Sequence, residues 1–352
     1  MKGKHKARFL SPVILLLLLV GGAGTIVVAW FQPYKNYPED EKFVQITRGA
    51  HSPEIAQQLE REGIVRHRAL FLAYLKTVKR SGRLQAGEYR FDKALTIPQV
   101  ADKMIRGLVY YHEVTIPEGF SLFDIAELLE QRGFATRKDF LAGAARSDLI
   151  AELAPTVSNL EGFLFPDTYR LTRGATTDEI VRGMVERFRQ IYSRNLELEI
   201  KQNSLSLKEA VTLASLIEKE TSLDEERELV SAVFHNRLKK QIPLQCDPTV
   251  IYAAKLKGGF RGEIYQSDLG LNSPYNTYRF PGLPPGPIAN PGLKSLEAAL
   301  KPAKVDYLYF VSNNSGGHVF STTLDQHIRA VAAYRNGLRL ESKKAAQKQG
   351  RS

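Results

Sequence analysis

The sequence predicts an α+β protein: an N-terminal transmembrane helix, a small α/β module, then a larger mixed α+β domain. Three observations predict it. An uncharged apolar run stands near the N-terminus, a strand-turn-helix pattern recurs at an offset of 70 residues, and a capped apolar helix runs into Glu218-Lys219-Glu220-Thr221.

The apolar run covers Val13 to Phe31, nineteen positions without a charge. At 1.5 Å per residue it spans about 28 Å, against a hydrocarbon core of roughly 30 Å. Lys2, Lys4, Lys6 and Arg8 precede it with no acidic residue, and Glu39, Asp40 and Glu41 follow it. Positive charge stays on the cytoplasmic side, so everything after Phe31 is expected outside the cytoplasm, with Trp30 and Tyr34 at the outer interface. A cleaved secretory signal is the competing reading. Its apolar core runs about 7–15 residues and ends at small residues, whereas this run is longer and places Trp30 after Val28-Ala29. Either reading exports the body.

The net charge of +11 does not point to nucleic acid. Residues 1–11 carry +4, and residues 338–352, with five basic side chains against Glu341, carry another +4. A nucleic-acid binder concentrates its basic residues in the folded body, so that partner is excluded. The basic C-terminal stretch 339–352 is expected to be disordered. A single cysteine, Cys246, rules out an internal disulfide framework and a cysteine-rich zinc site. No metal or cofactor is expected.

The repeat aligns residues 49–63 with residues 119–133 through Gly49/Gly119, Ile55/Ile125, Ala56/Ala126, Leu59/Leu129, Glu60/Glu130 and Gly63/Gly133. Each copy follows a short β-like run, Val44 to Thr47 or Val114 to Ile116, and turns at a glycine into an amphipathic helix that a second glycine ends. Between the copies, Gly87 to Phe91 reads as a strand, and a helix is expected from Pro98 to about Arg106. Such a unit, over residues 43–111, resembles a LysM module, which binds the N-acetylated sugars of the cell wall. A purely structural neck has about equal weight, because many small α/β units share this pattern. Beyond it, Leu160 to Leu171 breaks the helical rhythm, and a helix is expected from about Thr177 to Leu198.

Ser206-Leu207-Lys208-Glu209 is a capping box, so a helix starts at Leu207. From Ala210 to Ile217 only Thr212 and Ser215 are polar, the mark of a buried helix. Glu218 comes four residues after Ala214 and seven after Val211, and so shares their face. Glu220 points about 200° further round. Desolvation favours a carboxyl's neutral form, which makes Glu218 the better general acid. An exposed helix end with ordinary ion pairs is the alternative, and periodicity alone weighs the two equally.

Residues 245–252, 274–278 and 282–292 are rich in loop formers, with tyrosine and amide side chains among them. Loops of this kind offer hydroxyl and amide walls suited to sugars. No phosphate loop and no H-E-x-x-H is present. Ser215, His235 and Asp247 can be written as a peptidase triad, but no G-x-S-x-G context supports it.

L-A-S-L-I-E-K-E-T, V-F-H-N-R-L, L-Q-C-D-P-T-V-I-Y, P-Y-N-T-Y, G-L-P-P-G-P-I-A-N-P-G and Y-L-Y-F-V occur in this order between roughly Val114 and Leu338. Together they resemble the endolytic murein transglycosylases of the MltG (YceG-like) family. The resemblance implies cleavage between N-acetylmuramic acid and N-acetylglucosamine in nascent peptidoglycan strands, leaving a 1,6-anhydromuramic end without water. It puts the catalytic glutamate on Glu218. It also implies a single-pass bacterial inner-membrane protein whose catalytic domain, residues 112–338, lies in the periplasm beside penicillin-binding proteins that polymerise glycan.

Glu220, Gln245, Asp247, Asn276 and Tyr278 are expected to orient substrate or Glu218, although turns and caps are equally open to them. Asp247 and Glu220 are the nearest candidates for the second carboxylate of an ordinary glycosidase. The rival function is a non-catalytic peptidoglycan-binding scaffold for wall-synthesis enzymes.

Overall fold

The computed structural model describes residues 12–80 and 82–349, with side chains of 12–19, 23 and 340–349 outside the description. The basic segment 1–11 lies outside the described residues. The chain folds as two units, residues 1–113 with 170–175, and residues 114–169 with 176–352.

The first unit starts with helix α1 (Pro12–Phe31). Among the described residues no helix is long and apolar enough to cross a membrane. The expected transmembrane run falls on α1, but its described side chains begin only at Val20, and a stretch from there to Phe31 rises about 18 Å, short of the roughly 30 Å needed. The end of α1 is tied down, with Trp30 Nε1 donating to Leu70 O at 2.9 Å.

Strand β1 (Lys42–Ile46), helices α2 (Ser52–Arg61) and α3 (Arg68–Thr77), strand β2 (Gly87–Phe91) and helix α4 (Ile97–Ile105) follow. β1 and β2 pair antiparallel, Val44 opposite Tyr89. Alternation along both strands sends Val44, Ile46, Tyr89 and Phe91 to the face where Ile55, Leu59, Phe71, Leu75 and Met104 pack. Thr96 and Gln99 cap α4 reciprocally, and Pro98 occupies its first turn, as predicted.

The repeat reappears in the backbone. β3 (His112–Thr115), α5 (Leu122–Gln131), α6 (Arg137–Ala144) and β4 (Thr168–Leu171) retrace the order strand, helix, helix, strand, and β3 and β4 form a two-stranded sheet. Gly49 and Gly119 turn into their helices at φ +84° and +76°, and Gly63 and Gly133 follow the helix ends at φ +72° and +71°. All four positions need the left-handed region that favours glycine.

In the second unit α7 (Thr177–Ile191) runs through a π-helical turn at Tyr192–Leu196 into α8 (Glu197–Gln202), so the helix expected from about Thr177 to Leu198 is present with one widened turn. Helix α9 (Leu207–Glu220) is the centre. Ser206 and Glu209 form the predicted capping box, and every residue from Ala210 to Ile217 is buried. Its two polar side chains are satisfied internally: Thr212 Oγ1 donates to Lys208 O, and Ser215 Oγ donates to Thr212 O and accepts the Ile288 N–H.

Around α9 pack α10 (Asp224–Lys239), α11 (Asp247–Leu256) and α12 (Leu293–Leu300). At Gly162, φ +86°, an added Cβ would stand 2.6 Å from Pro287 and 2.7 Å from Val211, so this turn sits directly on α9. The hairpin β5 (Tyr309–Ser312) and β6 (His318–Ser321) and helix α13 (Leu324–Gln349) complete the unit.

Two expectations change. The first predicted loop, 245–252, is mostly helix, because Asp247 and Pro248 occupy the first turn of α11, where a proline's missing N–H costs nothing. The stretch expected to be disordered from 339 is helical to Gln349; its Ala, Leu, Glu, Lys and Gln are all good helix formers. Residues 350–352 lie outside the described residues.

Candidate active site

Helix α9 delivers Glu218 to its C-terminal end, where the side chain is 7% exposed. Neither oxygen lacks a partner. Oε2 accepts the backbone N–H of Gly292 at 3.0 Å, and Oε1 lies 3.3 Å from Arg227 Nη1. Gly292 is the N-cap of α12, so the carboxyl also meets the positive end of that helix.

Arg227 comes from α10 and is itself 6% exposed. It donates to Ser295 Oγ at 2.5 Å through Nη1 and to Asp224 Oδ1 at 3.2 Å through Nε. Asp224 in turn pairs with Lys294. A buried ion pair whose guanidinium is also held by Ser295 and Asp224 is stiff, so Glu218 is held in one orientation.

The turn between β3 and α5 reaches the same place. Gly119 donates its N–H to Asn290 O at 2.9 Å and accepts Lys219 Nζ at 3.2 Å. A Cβ on Gly119 would stand 3.5 Å from Glu218 Cγ. The neighbouring Glu118 is exposed, and burial followed by the charge of Glu218 raises its carboxyl above the usual range, while Arg227 pulls the other way.

Beside this turn a cleft opens between Gly119, Ser121 and Lys219 and the α11 residues Pro248, Ile251 and Tyr252. Beneath it Glu161 is buried, accepting from Leu122 N–H and Asn290 Nδ2 at 3.1 Å. Burial pushes its carboxyl up to about 8, against the opposing bonds from Leu122 and Tyr252.

A folded-state value above the unfolded 4.5 means a stability contribution fully present below 4.5 and lost as the pH rises towards 8. Replacing Glu161 with Gln is expected to remove this term, so that thermal unfolding midpoints at pH 5 and pH 8 converge relative to the wild type. An unchanged pH slope would exclude Glu161 as its source.

The predicted supporting residues form a second cluster at the end of α9. Glu220, which the helix period turns away from Glu218's face, is half-buried, and desolvation raises its carboxyl, opposed by a bond from Cys246 and reinforced by Asp247. The α11 start that periodicity did not foresee covers it. Asp247 Oδ1 accepts Tyr278 OH at 2.5 Å; burial and this bond raise the Tyr278 hydroxyl. Gln245 stands at φ +52°, with Oε1 3.4 Å from Arg237 Nη1.

Asn276 is fully buried and bonds Leu269 O, Leu271 O and the Tyr278 N–H, so it shapes the loop that carries Tyr278. Ser215 and His235 form no triad. The Ser215 hydroxyl is spent inside the helix layer, and His235 Nε2 faces Ala299 O at 2.9 Å.

Sequence reasoning did not single out Arg227, Gly292, Asn290 or Glu118. Arg227 stands on the next helix, nine residues on, with no local signal. Gly292 and Asn290 end the G-L-P-P-G-P-I-A-N-P-G segment, and Glu118 precedes the repeat's own turn glycine.

The sequence profile of the YceG-like family matches residues 44–333. The chain belongs to the YceG-like family. Among its relatives, a protein of Bacillus subtilis (strain 168) named endolytic murein transglycosylase is 34% identical over 333 residues, 90% of this chain and 91% of that one. One of the same name from Streptococcus pneumoniae (strain ATCC BAA-255 / R6) is 30% identical over 368 residues, 94% of this chain and 66% of that one. The 2.6 Å crystal structure of a YceG-like protein from Listeria monocytogenes superposes with a TM-score of 0.57 at 32% identity, covering 82% of this chain and 98% of that one. The YceG-like match spans both copies of the strand-turn-helix repeat and all of α9 to α12.

Proposed function

We propose that this YceG-like protein is a lytic transglycosylase that cuts peptidoglycan strands internally between N-acetylmuramic acid and N-acetylglucosamine, with Glu218 as its catalytic carboxyl. The observation that carries the reading is a buried glutamate held between a guanidinium and a helix-terminal N–H, beside a cleft. Relatives named endolytic murein transglycosylase, similar over nearly the whole chain, support it.

Protonated Glu218 gives its proton to the glycosidic oxygen as the bond breaks, and the substrate's own 2-acetamido oxygen steadies the developing cation. Arg227 and the Gly292 N–H then stabilise the carboxylate left behind. That carboxylate takes the proton of the C6 hydroxyl of the same sugar, whose oxygen closes the anhydro ring. One carboxyl serves twice, and water is not consumed. Glu220, Gln245, Asp247 and Tyr278 are assigned to the substrate-facing wall and Asn276 to its support.

The test is the product on purified glycan strands, read by mass spectrometry. Internal 1,6-anhydro ends support the reading. Reducing ends instead mean hydrolysis, and binding without products means a scaffold.

The body is placed outside the cytoplasm on a single-pass anchor at residues 12–32, on the strength of the basic residues before the apolar run and the acidic ones after it. Deleting residues 1–32 is expected to move the protein from the membrane to the soluble fraction; continued sedimentation with membranes counts against the anchor. Residues 43–111 are assigned to a LysM-like module, supported by the strand, helix, helix, strand order and the antiparallel β1/β2 pair. Residues 112–338 are assigned to catalysis. An anchored enzyme meets strands as they leave the membrane, which makes glycan-polymerising penicillin-binding proteins its natural partners.

A further inference from the structure

We propose that Asn290 is a positioning residue of this site: with Glu161 it locks two irregular backbone segments together, so that the Gly292 N–H and the Gly119 turn close on Glu218. The proposal rests on the transglycosylase reading. Glu218 lies between the two segments, with the Gly292 N–H 3.0 Å from Oε2 and a Cβ position on Gly119 3.5 Å from Cγ. Gly119-Phe120 and Asn290-Pro291 belong to no helix or strand, so no regular ladder of main-chain bonds sets their register.

Asn290 sets it instead. The residue is fully buried. Its N–H donates to Phe120 O at 2.8 Å, and its carbonyl accepts the Gly119 N–H at 2.9 Å. The side chain repeats the tie and extends it. Nδ2 donates to Phe120 O at 2.9 Å and to Glu161 Oε1 at 3.1 Å, while Oδ1 accepts the Leu164 N–H at 2.9 Å. Two acceptors around the nitrogen and one donor at the oxygen admit a single orientation of the amide. Glu161 is buried as well, and its carboxyl also accepts the Leu122 N–H at 3.1 Å. One carboxyl thereby joins Asn290 to the first turn of α5.

The chain from Asn290 to Gly292 has little slack. Pro291 fixes its own φ at roughly −65° and disfavours helical backbone at the residue before it. Its neighbour Gly292 carries the N–H that meets Glu218. On the other side of Asn290, the Ile288 N–H donates to Ser215 Oγ of α9 at 3.1 Å, so the segment is held against the helix that carries Glu218. A misplacement of about 1 Å at a group that orients a reacting side chain costs on the order of 10²-fold in rate.

Asn290 works through Gly292 and Gly119 rather than on the sugar, so its signature is a fall in kcat with KM held. The experiment measures anhydro-end formation on purified glycan strands for the full-length wild type, Asn290→Asp, Asn290→Ser, Glu161→Gln and the pair Asn290→Asp with Glu161→Gln. A thermal unfolding curve for each protein gives the folded fraction.

Asn290→Asp sets an acceptor against Phe120 O and Glu161 in place of a donor, and is expected to lower kcat about 100-fold with KM within about twofold of wild type. Adding Glu161→Gln reverses the bond, with the Gln amide donating to the Asp carboxylate. The reversed pair is expected to regain about 10-fold of kcat, although Glu161→Gln alone lowers it. Asn290→Ser keeps a hydroxyl donor and adds no charge. It is expected to lose about 10-fold in kcat, and it carries the test alone if the Asp variant unfolds.

A folded Asn290→Asp or Asn290→Ser protein with kcat within about twofold of wild type overturns the proposal, as does a loss carried by KM with kcat unmoved. A reversed pair no faster than Asn290→Asp overturns it too, because the bond to Glu161 would then position nothing. These outcomes leave the transglycosylase reading standing. That reading fails on a different result, a wild type that makes no anhydro ends, and the proposal falls with it.

Discussion

A Glu218→Gln protein is expected to fold and yet to form anhydro ends about 10³-fold or more slowly than the wild type, the scale of losing a general acid and base together. The amide has the shape of the carboxyl, so the Gly292 N–H keeps an acceptor. Arg227 keeps Ser295 Oγ and Asp224. The variant is therefore not empty of structure around the site, and its unfolding midpoint separates chemistry from folding.

A loss of product with a near-native midpoint assigns the chemistry to the carboxyl. Undiminished anhydro ends from the variant would remove Glu218 from the mechanism. In that case Glu220 becomes the carboxyl to examine, since it lies two residues on and shares its cluster with Asp247 and Tyr278.

How far the sequence carried the reading depended on the range of each interaction. Elements written in local rules came through with near-exact limits: β2 at Gly87–Phe91, the Ser206/Glu209 box opening α9, and the glycines that frame both copies of the repeat. Each is decided within four or five residues by alternation, capping or a left-handed turn.

The burial of Glu218 was legible too, because an apolar run fixes a helix face. Its partners were not. Arg227 reaches it from the following helix, and Gly292 is 74 positions away, and no periodicity crosses such a gap. The same limit explains Glu220. Its own helix points it away from Glu218's face, but whether that direction is open depends on what packs there. The α11 start at Cys246 and Asp247 closes it. The stretch from 339 to 349 shows a different limit. Its charge points to disorder, whereas the helix propensity of the same residues decides the backbone.

Replacing Arg227 with Ala is expected to cost about 3–5 kcal/mol of folding stability, the usual price of stranding one member of a buried ion pair. Both members are nearly inaccessible, 6% and 7% exposed, so water does not compensate Glu218, and Ser295, also buried, loses the partner of its hydroxyl. Asp224 is the least affected, since it retains Lys294.

Two comparisons make the cause specific. Arg227→Lys keeps the charge but not the fork that reaches both Ser295 and Glu218, and should fall between wild type and Ala in a urea unfolding series. In the Glu218→Gln background the Ala change should cost clearly less, because no anion is left to strand, giving a coupling of about 0.5–3 kcal/mol. Strict additivity of the two changes would mean that Arg227 stabilises the fold through its packing and Ser295 alone. The Glu218 carboxyl would then be held by the Gly292 N–H and the end of α12, and its orientation for proton transfer would rest on that one backbone contact.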